Sequence, residues 1–327
     1  MSRAHNNGTP ILKIVAIGLA AVFVVSLTLL LVGLWESKQA GYPEKEQSDT
    51  VLEYNGASYV LKDSVETFLV IGLDKFDGDV VGDNELRADF LMLIVFDNAE
   101  KKYSAIHINR DTMTSVNRLD VSGNKISSAT EQIALAHTHG YSDKVRCRNT
   151  SDAVSELLLG VKINHYLSMK MDAVPKLNDL VGGVELTVLD DFTGVDDTLI
   201  KGETVTLMGE HALNYVRTRY GLEDSTNSTR MIRQKQYVNA LREKATALAA
   251  ADSEFIVNAT LEMSDSIVSD RSVTQLQELC RRMSEYEFTD IFTIEGHSIV
   301  GESYMEFYPD ADALKKIVVD LFYKPKV

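Results

Sequence analysis

Residues 67–74 read Thr-Phe-Leu-Val-Ile-Gly-Leu-Asp, a short apolar run that ends in glycine and is followed by a carboxylate. An apolar run of this length, bounded by a turn signal, is typical of a buried strand. A carboxylate just beyond the carboxyl end of a strand lies where open α/β sheets bind their ligands. This stretch therefore predicts a buried strand of a sheet and one residue of a site, Asp74.

The segments that follow alternate between strands and helices. Phe90–Phe96 and Tyr103–Ile108 are apolar runs separated by Asp97-Asn98, a turn signal that predicts a β-hairpin. Further predicted strands are His165–Met169, Val184–Val188, a strand near Phe292 and Tyr304–Tyr308. Predicted helices are Ser151–Leu159 with Ser151 or Asp152 as its cap, Ala173–Leu180, Gly209–Val216, Thr229–Ala250 and Asp310–Tyr323. This alternation predicts a layered α-β-α domain with a central mixed sheet over residues 65–327.

The N-terminal residues have a different character. No charged side chain occurs between Lys13 and Glu36, and these 22 positions are mostly apolar. As a helix they reach roughly 33 Å, enough to cross a bilayer core of about 30 Å. Arg3 and Lys13 precede the span and no acidic residue does, so the N-terminus is expected in the cytoplasm. A cleaved signal peptide is the alternative, although its apolar region is normally shorter, about 7–15 residues. The prediction is a single-pass cell-membrane protein with a cytoplasmic tail (1–10), a transmembrane helix (11–35), an extracytoplasmic linker (36–64) and an extracytoplasmic C-terminal domain.

The charge balance restricts the class of partner. With 33 Lys and Arg against 48 Asp and Glu, the formal charge is −15, which argues against a nucleic-acid binder. Against this acidic background, arginines occur at predicted strand ends and helix starts: Arg87, Arg110, Arg217, Arg219 and Arg230. Guanidinium groups match phosphate oxygens, and several around one site need an anion of two or more charges. Taken singly, each such motif is more often a turn, a cap or a surface ion pair worth under about 1 kcal/mol.

Two aspartates beside these arginines suit a divalent cation. Asp74 follows the first predicted strand, and Asp89 lies in Arg87-Ala88-Asp89 directly before the second. Carboxylate oxygens are the ligands that Mg²⁺ prefers, commonly shared with substrate phosphates. The two cysteines, Cys147 and Cys280, are expected either to pair outside the cell or to be two buried thiols, and no spacing suggests a zinc site.

In their order and spacing these motifs resemble the LytR-CpsA-Psr family of bacterial cell envelopes. The resemblance covers about Thr67–Leu241. Its motifs are the Gly-x-Asp after the first strand, the Arg-x-Asp before the second, the Arg-Asp-Thr after the third, Asn164–Tyr166, Val181–Val184, Gly209–Arg219 and Arg230–Gln234. The chain departs from the family pattern at Ala88, where Ser is usual, and at Asn109, where Pro is usual. Asn227 stands where many members have Asp, so the base that activates the acceptor is left open, with Asp224 as a candidate.

The resemblance implies a Mg-dependent phosphotransferase. Such a protein transfers a phosphorylated glycopolymer (a teichoic acid, a capsular polysaccharide or a related glycan) from an undecaprenyl pyrophosphate carrier to peptidoglycan, forming a phosphodiester. It implies a hydrophobic tunnel for the polyprenyl tail, whose lining the sequence does not identify. Matching positions assign Asp74 and Asp89 to Mg²⁺. They assign to the pyrophosphate Arg87, Arg110, Lys125, Arg217, Arg219, Arg230 and Gln234. The residues expected to be catalytic are Asp74, Asp89, Arg110, Arg217 and Arg219. Two alternatives remain: a non-catalytic polyprenyl-phosphate-binding sensor or scaffold, and a lipid pyrophosphatase in which water replaces the acceptor hydroxyl.

Overall fold

The structure is a computed structural model that describes residues 51–74 and 86–326. The predicted cytoplasmic tail (1–10), the predicted transmembrane helix (11–35) and the first part of the predicted linker lie outside these residues. Within the described ranges, no helix combines the length and apolar composition that crossing a membrane requires.

Strands and helices alternate along most of the described chain. The strands are β1 (Leu52–Tyr54), β2 (Ala57–Leu61), β3 (Val65–Leu73), β4 (Ala88–Asp97), β5 (Lys102–Ile108), β6 (Met113–Leu119), β7 (Lys125–Gln132), β8 (His165–Lys170), β9 (Val184–Thr187), β10 (Thr204–Leu207), β11 (Ile267–Ser269), β12 (Glu287–Thr293), β13 (Gly296–Val300), β14 (Met305–Pro309) and β15 (Tyr323–Pro325). The helices are α1 (Asp143–Leu157), α2 (Ala173–Leu180), α3 (Glu210–Arg217), α4 (Asn227–Ala251), α5 (Phe255–Met263), α6 (Val273–Glu285) and α7 (Ala311–Phe322), with short 3₁₀ helices at Ile133–Thr138 and Ser264–Ser266.

A six-stranded mixed sheet forms the centre of the domain, in the order β11-β8-β3-β4-β5-β12. The neighbours of β3 are β8, which is parallel to it, and β4, which is antiparallel. The predicted hairpin is confirmed, since β4 and β5 pair antiparallel from Leu91↔Ile108 to Asp97↔Lys102. The predicted mixed α/β class is confirmed with it.

The two faces of this sheet are packed differently. Leu69 and Ile71 of β3 point to one face and are fully buried in a core with α1 and α7. Because side chains alternate along a strand, Phe68 and Val70 point to the other face, towards α4, α5 and α6. The helices on this second face do not fill the space above the sheet, and a cavity remains there. The sheet thus lies between two helical layers, as predicted.

Two predictions about element boundaries were wrong. The linker was predicted to extend to residue 64, but β2 pairs with both β1 and the C-terminal strand β15, and Leu61 packs against the main core. The pairing of β2 with β15 joins distant segments and leaves no local signal, whereas β1 and β2 form a hairpin at Asn55-Gly56, a local turn signal that the prediction overlooked. Helix α1 begins at Asp143, where the Ser142 side chain accepts a hydrogen bond from Val145 N, and not at Ser151 or Asp152. Ser151 lies inside the helix, where its hydroxyl donates to the Cys147 carbonyl one turn earlier.

A second, smaller core surrounds the C-terminal end of α3. It contains Val184 and Leu186 of the β9–β10 hairpin, Tyr215 of α3 and Tyr237 of α4. The C-terminal hairpin β13–β14 contacts the main domain at Thr112, which forms a bridge with Phe307. In the described residues Cys147 and Cys280 are unpaired thiols, which decides between the two alternatives for the cysteines.

Candidate active site

Three sequence motifs meet at one edge of the sheet. Because β3, β4 and β5 are successively antiparallel, the end of β3, the start of β4 and the end of β5 lie side by side. Asp74 follows β3, Asp89 lies at the start of β4, and Arg110 follows β5. The backbone N–H of Asp74 donates a hydrogen bond to the Arg87 carbonyl at 3.4 Å, which joins the end of β3 to the residue before β4. The strand order therefore brings together motifs that are up to 36 residues apart in sequence.

Asp89 lies at the centre of the site, and only 7% of it is exposed. Its Oδ1 accepts a hydrogen bond from Arg110, and its Oδ2 forms an ion pair with Nη1 of Arg230 at 3.3 Å. Arg230 also donates from Nη2 to the Asp89 carbonyl at 3.2 Å. One buried carboxylate therefore orients two arginines from opposite sides of the site.

Two asparagines help to hold the Arg230 side chain in place. Nη2 of Arg230 donates to Oδ1 of Asn227 at 2.6 Å, and Nδ2 of Asn227 donates to Oδ1 of Asn109 at 2.8 Å. Oδ1 of Asn109 also accepts from the Asp111 backbone at 2.9 Å. Both amides are buried, and the two departures from the family pattern, at positions 109 and 227, are hydrogen-bonded to each other.

Arg217 and Arg219 lie at the end of α3. Arg217 donates from Nε and Nη2 to Oδ1 of Asp74, at 3.2 and 3.0 Å. Helix α3 ends at Arg217 and Thr218 is extended, so the two arginines are not on one extended strand. Arg219 lies over the ring of Tyr220, with 5.2 Å from Cζ to the ring centroid.

Arg233, which the sequence analysis did not single out, fixes this segment in place. It is only 1% exposed, and it donates to the carbonyls of Tyr215, at 2.7 Å, and Thr218. Its Nε forms an ion pair with Oδ2 of Asp190 at 2.8 Å. Arg233 is thus a structural support for the chain that carries Arg217 and Arg219, and its place in Arg230–Gln234 gave no separate signal for that role.

Burial and the neighbouring positive charges perturb the guanidinium of Arg230. Its pKa is lowered to about 10, mainly by burial and in addition by the positive charges of Arg110 and Arg219, against the opposing effect of Asp89. Burial also acts to lower the pKa of Arg110, but the charges of Asp89 and Asp111 outweigh it and raise that pKa. Arg219 is therefore electrostatically part of the cluster. A polyanion placed here would relieve the excess positive charge.

The cavity on the second face of the sheet opens at this cluster. It has a volume of about 400 Å³, and Asp89, Arg217, Arg230 and Gln234 are among its lining residues at this end. The remaining lining is almost entirely apolar and includes Phe68, Val70, Met92, Leu167, Tyr237 and Leu279. The sequence could not identify these residues, because apolar side chains that line a cavity have the same spacing as those that fill a core.

The other predicted site residues lie at different distances from the arginine cluster. Gln234 lies one helical turn after Arg230, as predicted, and donates to the Val216 carbonyl at 3.0 Å. Arg87 is half-buried beside Asp74. Lys125 is exposed near the tip of the β6–β7 hairpin, opposite Leu119. Since β6 begins next to the site at Met113, Lys125 lies roughly 20 Å along the hairpin from the cluster.

His107 is a buried polar residue that the sequence analysis missed within an apolar strand. It lies on β5, is 1% exposed, and its ring centroid is 5.1 Å from that of Phe90. Burial lowers the pKa of His107 to about 3, and the charge of Arg230 contributes, so the imidazole is neutral at physiological pH. A neutral imidazole adds no positive charge to the arginine cluster. His107 can therefore lie next to Arg230 without increasing the repulsion among the arginines.

The donor groups fit a shared magnesium ion better than a closed metal cage. In the described part of the chain, no group of three or more His, Cys, Asp or Glu side chains comes together. Asp74 has a side chain that is 38% exposed, and both hydrogen bonds from Arg217 reach the same oxygen, Oδ1. Mg²⁺ commonly takes one or two protein carboxylates and completes its shell with substrate phosphates and water. Asp74 has the exposure for such a site, whereas both oxygens of buried Asp89 contact arginines and would have to be shared with the ion.

Comparisons with known proteins agree with this geometry. A family model described as the LytR_cpsA_psr family matches residues 33–321. The chain is 26% identical over 276 residues to the polyisoprenyl-teichoic acid–peptidoglycan teichoic acid transferase TagU of Enterococcus faecalis, covering 82% of each chain. It is 28% identical over 195 residues to TagU of Bacillus mycoides, and this match spans 57% of that relative's length.

Solved structures share the fold. The structure of Bacillus subtilis TagV matches with a TM-score of 0.62 and 24% identity, covering 80% of this chain and 97% of that one. A structure of TagT bound to LIIa-WTA matches with a TM-score of 0.61 and 20% identity, covering 86% and 97%. At these identities the likeness establishes the architecture.

Proposed function

The chain belongs to the LytR_cpsA_psr family, and on that premise we propose that it is an enzyme that attaches a phosphorylated glycopolymer to peptidoglycan. The donor in this proposal is the polymer linked to an undecaprenyl pyrophosphate carrier, and the polymer is a teichoic acid, a capsular polysaccharide or a related glycan. Support comes from the relatives named TagU, whose name describes teichoic acid transfer from a polyisoprenyl carrier to peptidoglycan.

One observation carries the proposal: an arginine cluster lies at the mouth of an apolar cavity. Arg110 and Arg230 flank Asp89, and Arg217 and Arg230 are themselves part of the cavity wall. A polyprenyl pyrophosphate has the same two halves, an anionic head and a hydrocarbon tail. The guanidinium groups suit the head, and the apolar lining offers the tail surroundings that resemble the hydrocarbon of the membrane.

The reaction is a phosphoryl transfer. An oxygen of a peptidoglycan hydroxyl attacks the phosphorus that bears the glycan, and the bond from that phosphorus to the bridging oxygen breaks. Polyprenyl monophosphate leaves with the bridging oxygen, and the hydroxyl proton passes to solvent or to the leaving phosphate. In this proposal the cluster of Arg110, Arg217, Arg219 and Arg230 stabilises the charge that develops on the phosphate oxygens.

The residues near position 227 do not supply a general base. Asn227 is an amide whose side chain is committed to Asn109 and Arg230. Asp224 accepts from the Thr226 backbone at 2.8 Å and from the Thr229 hydroxyl, and these bonds lower the pKa of Asp224 and make it a weaker base. Because phosphoryl transfer through a loose transition state depends mainly on positioning and electrostatics, the site can function without a strong base.

Asp74 and Asp89 are the residues that would hold Mg²⁺ in this proposal. When bound, the ion would neutralise part of the charge on the pyrophosphate oxygens. We also propose that residues 11–35 anchor the protein in the cell membrane, with the domain outside, where both the lipid carrier and peptidoglycan are accessible.

The test is a reconstituted reaction. The full-length chain in lipid nanodiscs is incubated with a polyprenyl-pyrophosphate-linked glycan, peptidoglycan fragments and Mg²⁺, and the products are analysed by mass spectrometry. A fragment that has gained the glycan through a phosphodiester supports the proposal. Released glycan phosphate with no such adduct indicates a pyrophosphatase. Binding of the lipid without turnover indicates a sensor or scaffold, and omission of Mg²⁺ tests the cofactor.

A further inference from the structure

The hairpin β13–β14 has one face that is turned to solvent. Its antiparallel register places His297 opposite Tyr308 and Ile299 opposite Glu306. Because side chains alternate along a strand, these four residues point to the same face, which we call the hairpin face. Phe307 points to the other face and is only 7% exposed, whereas every residue of β13 is exposed.

Two aromatic rings on the hairpin face are already stacked. The ring centroids of His297 and Tyr308 are 5.8 Å apart, with 22° between the ring planes. The hydroxyl of Tyr308 donates a hydrogen bond to Oε2 of Glu66's counterpart in this hairpin, Glu306, at 2.7 Å. The face therefore combines an ordered pair of rings with a carboxylate that has further acceptor positions.

This combination of groups suits an uncharged sugar. The electron-rich face of an aromatic ring attracts the weakly positive C–H groups on the apolar side of a sugar ring. A carboxylate accepts hydrogen bonds from sugar hydroxyls. Residues 296–309 contain no Lys or Arg, and Glu302 and Glu306 are negative. A phosphate polymer or an anionic lipid head would be repelled by these charges.

The hairpin is attached directly beside the arginine cluster. The backbone N–H of Phe307 donates to the Asp111 carbonyl at 2.9 Å. Nε2 of Gln132 donates both to Oδ1 of Asp111, at 2.8 Å, and to the Met305 carbonyl, at 2.7 Å. Arg110 is the residue before Asp111, so one residue and one step between strands bring it to within roughly 10 Å of the hairpin backbone. Two linked sugar rings span a similar distance, roughly 10 Å.

We propose that the hairpin face binds the glycan strand of the acceptor, an uncharged chain of N-acetylated sugars, and holds it while the hydroxyl of a neighbouring sugar reaches the arginine cluster. This proposal rests on the proposed function, because it takes peptidoglycan as the acceptor. None of the four residues of the face lines the cavity. The face therefore contributes affinity for the acceptor, separately from the groups that bind the lipid donor.

The first experiment measures sugar binding directly. Full-length protein in lipid nanodiscs is titrated calorimetrically with a β-linked tetramer of N-acetylglucosamine, an uncharged substitute for the glycan strand. The wild type should bind it, and His297→Ala and Tyr308→Ala should each weaken binding about three- to tenfold, because each removes one aromatic contact. Tyr308→Phe keeps the ring and should retain most of the affinity. If Tyr308→Ala does not fold, the test relies on His297→Ala, which removes an exposed ring.

The second experiment measures transfer kinetics with peptidoglycan glycan strands as the acceptor. In His297→Ala and Tyr308→Ala the KM for the acceptor should rise about three- to tenfold, while kcat and the KM for the lipid-linked donor stay within about twofold of wild type. Tyr54→Ala is the matched control. Tyr54 is a half-buried tyrosine of another hairpin, β1–β2, which lies at the end of β3 away from the site. This variant should change neither KM.

The outcomes separate the two proposals. The role of the hairpin face is overturned if the wild type does not bind the sugar tetramer, or if the variants bind it as tightly as the wild type. It is also overturned by a higher KM for the donor with an unchanged KM for the acceptor, since the face would then contact the lipid. Transfer by the wild type is intact in each of these cases. If the wild type transfers no glycan to peptidoglycan, the proposed function fails, and the acceptor role of the face fails with it.

Discussion

Asp74 follows the end of β3 and Asp89 lies at the start of β4, at the same edge of the sheet, but they differ in burial. The side chain of Asp74 is 38% exposed and contacts one arginine, whereas that of Asp89 is 6% exposed and contacts two. An exposed pair contributes little to stability because water screens it. A buried carboxylate that balances two guanidinium groups cannot be removed without leaving their charges unpaired.

This difference gives a prediction for two alanine variants. Asp74→Ala should change the free energy of unfolding by less than about 0.5 kcal/mol. Asp89→Ala should lower it by about 3–5 kcal/mol, the cost of leaving buried charge without a partner. Both should lose transfer activity. Urea denaturation of the two variants and the wild type measures the difference, and equal stability of the two variants would contradict the role assigned to Asp89.

The arginines also differ in whether they pair with a buried carboxylate, which gives a second prediction. Arg219 adds positive charge near Arg230 and otherwise contacts the exposed Tyr220 ring, so Arg219→Ala should leave the melting temperature unchanged or slightly higher, while transfer falls by about 10²–10³-fold. Arg110→Ala should lower both, because it removes a partner of buried Asp89. Melting curves and transfer rates are compared with Arg118→Ala, a surface arginine paired with Glu131. A loss of stability in Arg219→Ala without loss of activity would show that Arg219 is structural.

At the scale of elements, a group of ion pairs between Glu66 of β3, His165 of β8, Asp270 and Arg282 of α6 responds to pH. The pKa of Glu66 is lowered from 4.5 to about 2, first by the hydrogen bond with His165 and, despite burial, also by Arg282. Burial acts to lower the pKa of His165, but hydrogen bonds to Asp270 and Glu66 raise it overall. Nearby Arg271 of the same loop as Asp270 acts to lower it. Both shifts favour the charged forms that hold these elements together.

The sign of each shift fixes the pH window in a third prediction. Glu66 contributes stability above its unfolded pKa of 4.5, and this contribution is lost as the pH falls towards about 2. His165 contributes below its unfolded pKa of 6.5, and this is lost as the pH rises past its raised folded value. The melting-temperature difference between wild type and Glu66→Gln should therefore be largest from about pH 5 to 6.5 and shrink on the acid side. A difference that is constant down to pH 2 would contradict these pairings.

The sequence predicted elements best where one segment contains its own signal. The runs that became β3, β4 and β5 are apolar and bounded by turn residues, and their order along the sheet brings the motifs of Asp74, Asp89 and Arg110 together. Sequence reasoning failed for β15, whose pairing with β2 joins distant segments, and it overlooked the local Asn55-Gly56 turn that joins β1 to β2. It also failed for the cavity, because whether helices fill the space above a sheet depends on the packing of several elements at once.

At the scale of the whole molecule, the charge is unevenly distributed. The chain carries a formal charge of −15, yet the site combines Arg110, Arg217, Arg219 and Arg230 with few carboxylates. At physiological ionic strength, screening limits the acidic surface to a range of about 8 Å. The local field of the arginines therefore governs binding of an anionic lipid head, and the acidic exterior does not prevent it.

The fourth prediction concerns the orientation of the whole chain and rests on the charges that flank residues 14–35. If the N-terminus is cytoplasmic, a C-terminal alkaline phosphatase fusion should be active, and a C-terminal green fluorescent protein fusion exported by the same route should be dark. The two fusions are compared at matched expression in one host. A dark phosphatase and a fluorescent protein would place the domain on the other side of the membrane.

Cys280 of α6 is a free thiol in the cavity wall that a reagent inside the cavity could modify. It is one of the lining residues, and burial raises the pKa of its thiol to about 11, so it is protonated and slow to react with water-soluble reagents at neutral pH. An electrophile attached to a short isoprenoid would be carried to it by the same hydrophobic partition that carries a lipid tail. Reaction at this thiol would then depend on delivery through the cavity. An isoprenoid of matched length could serve as a covalent inhibitor, and the mass that it adds to the protein would measure how many of the cavities it occupies.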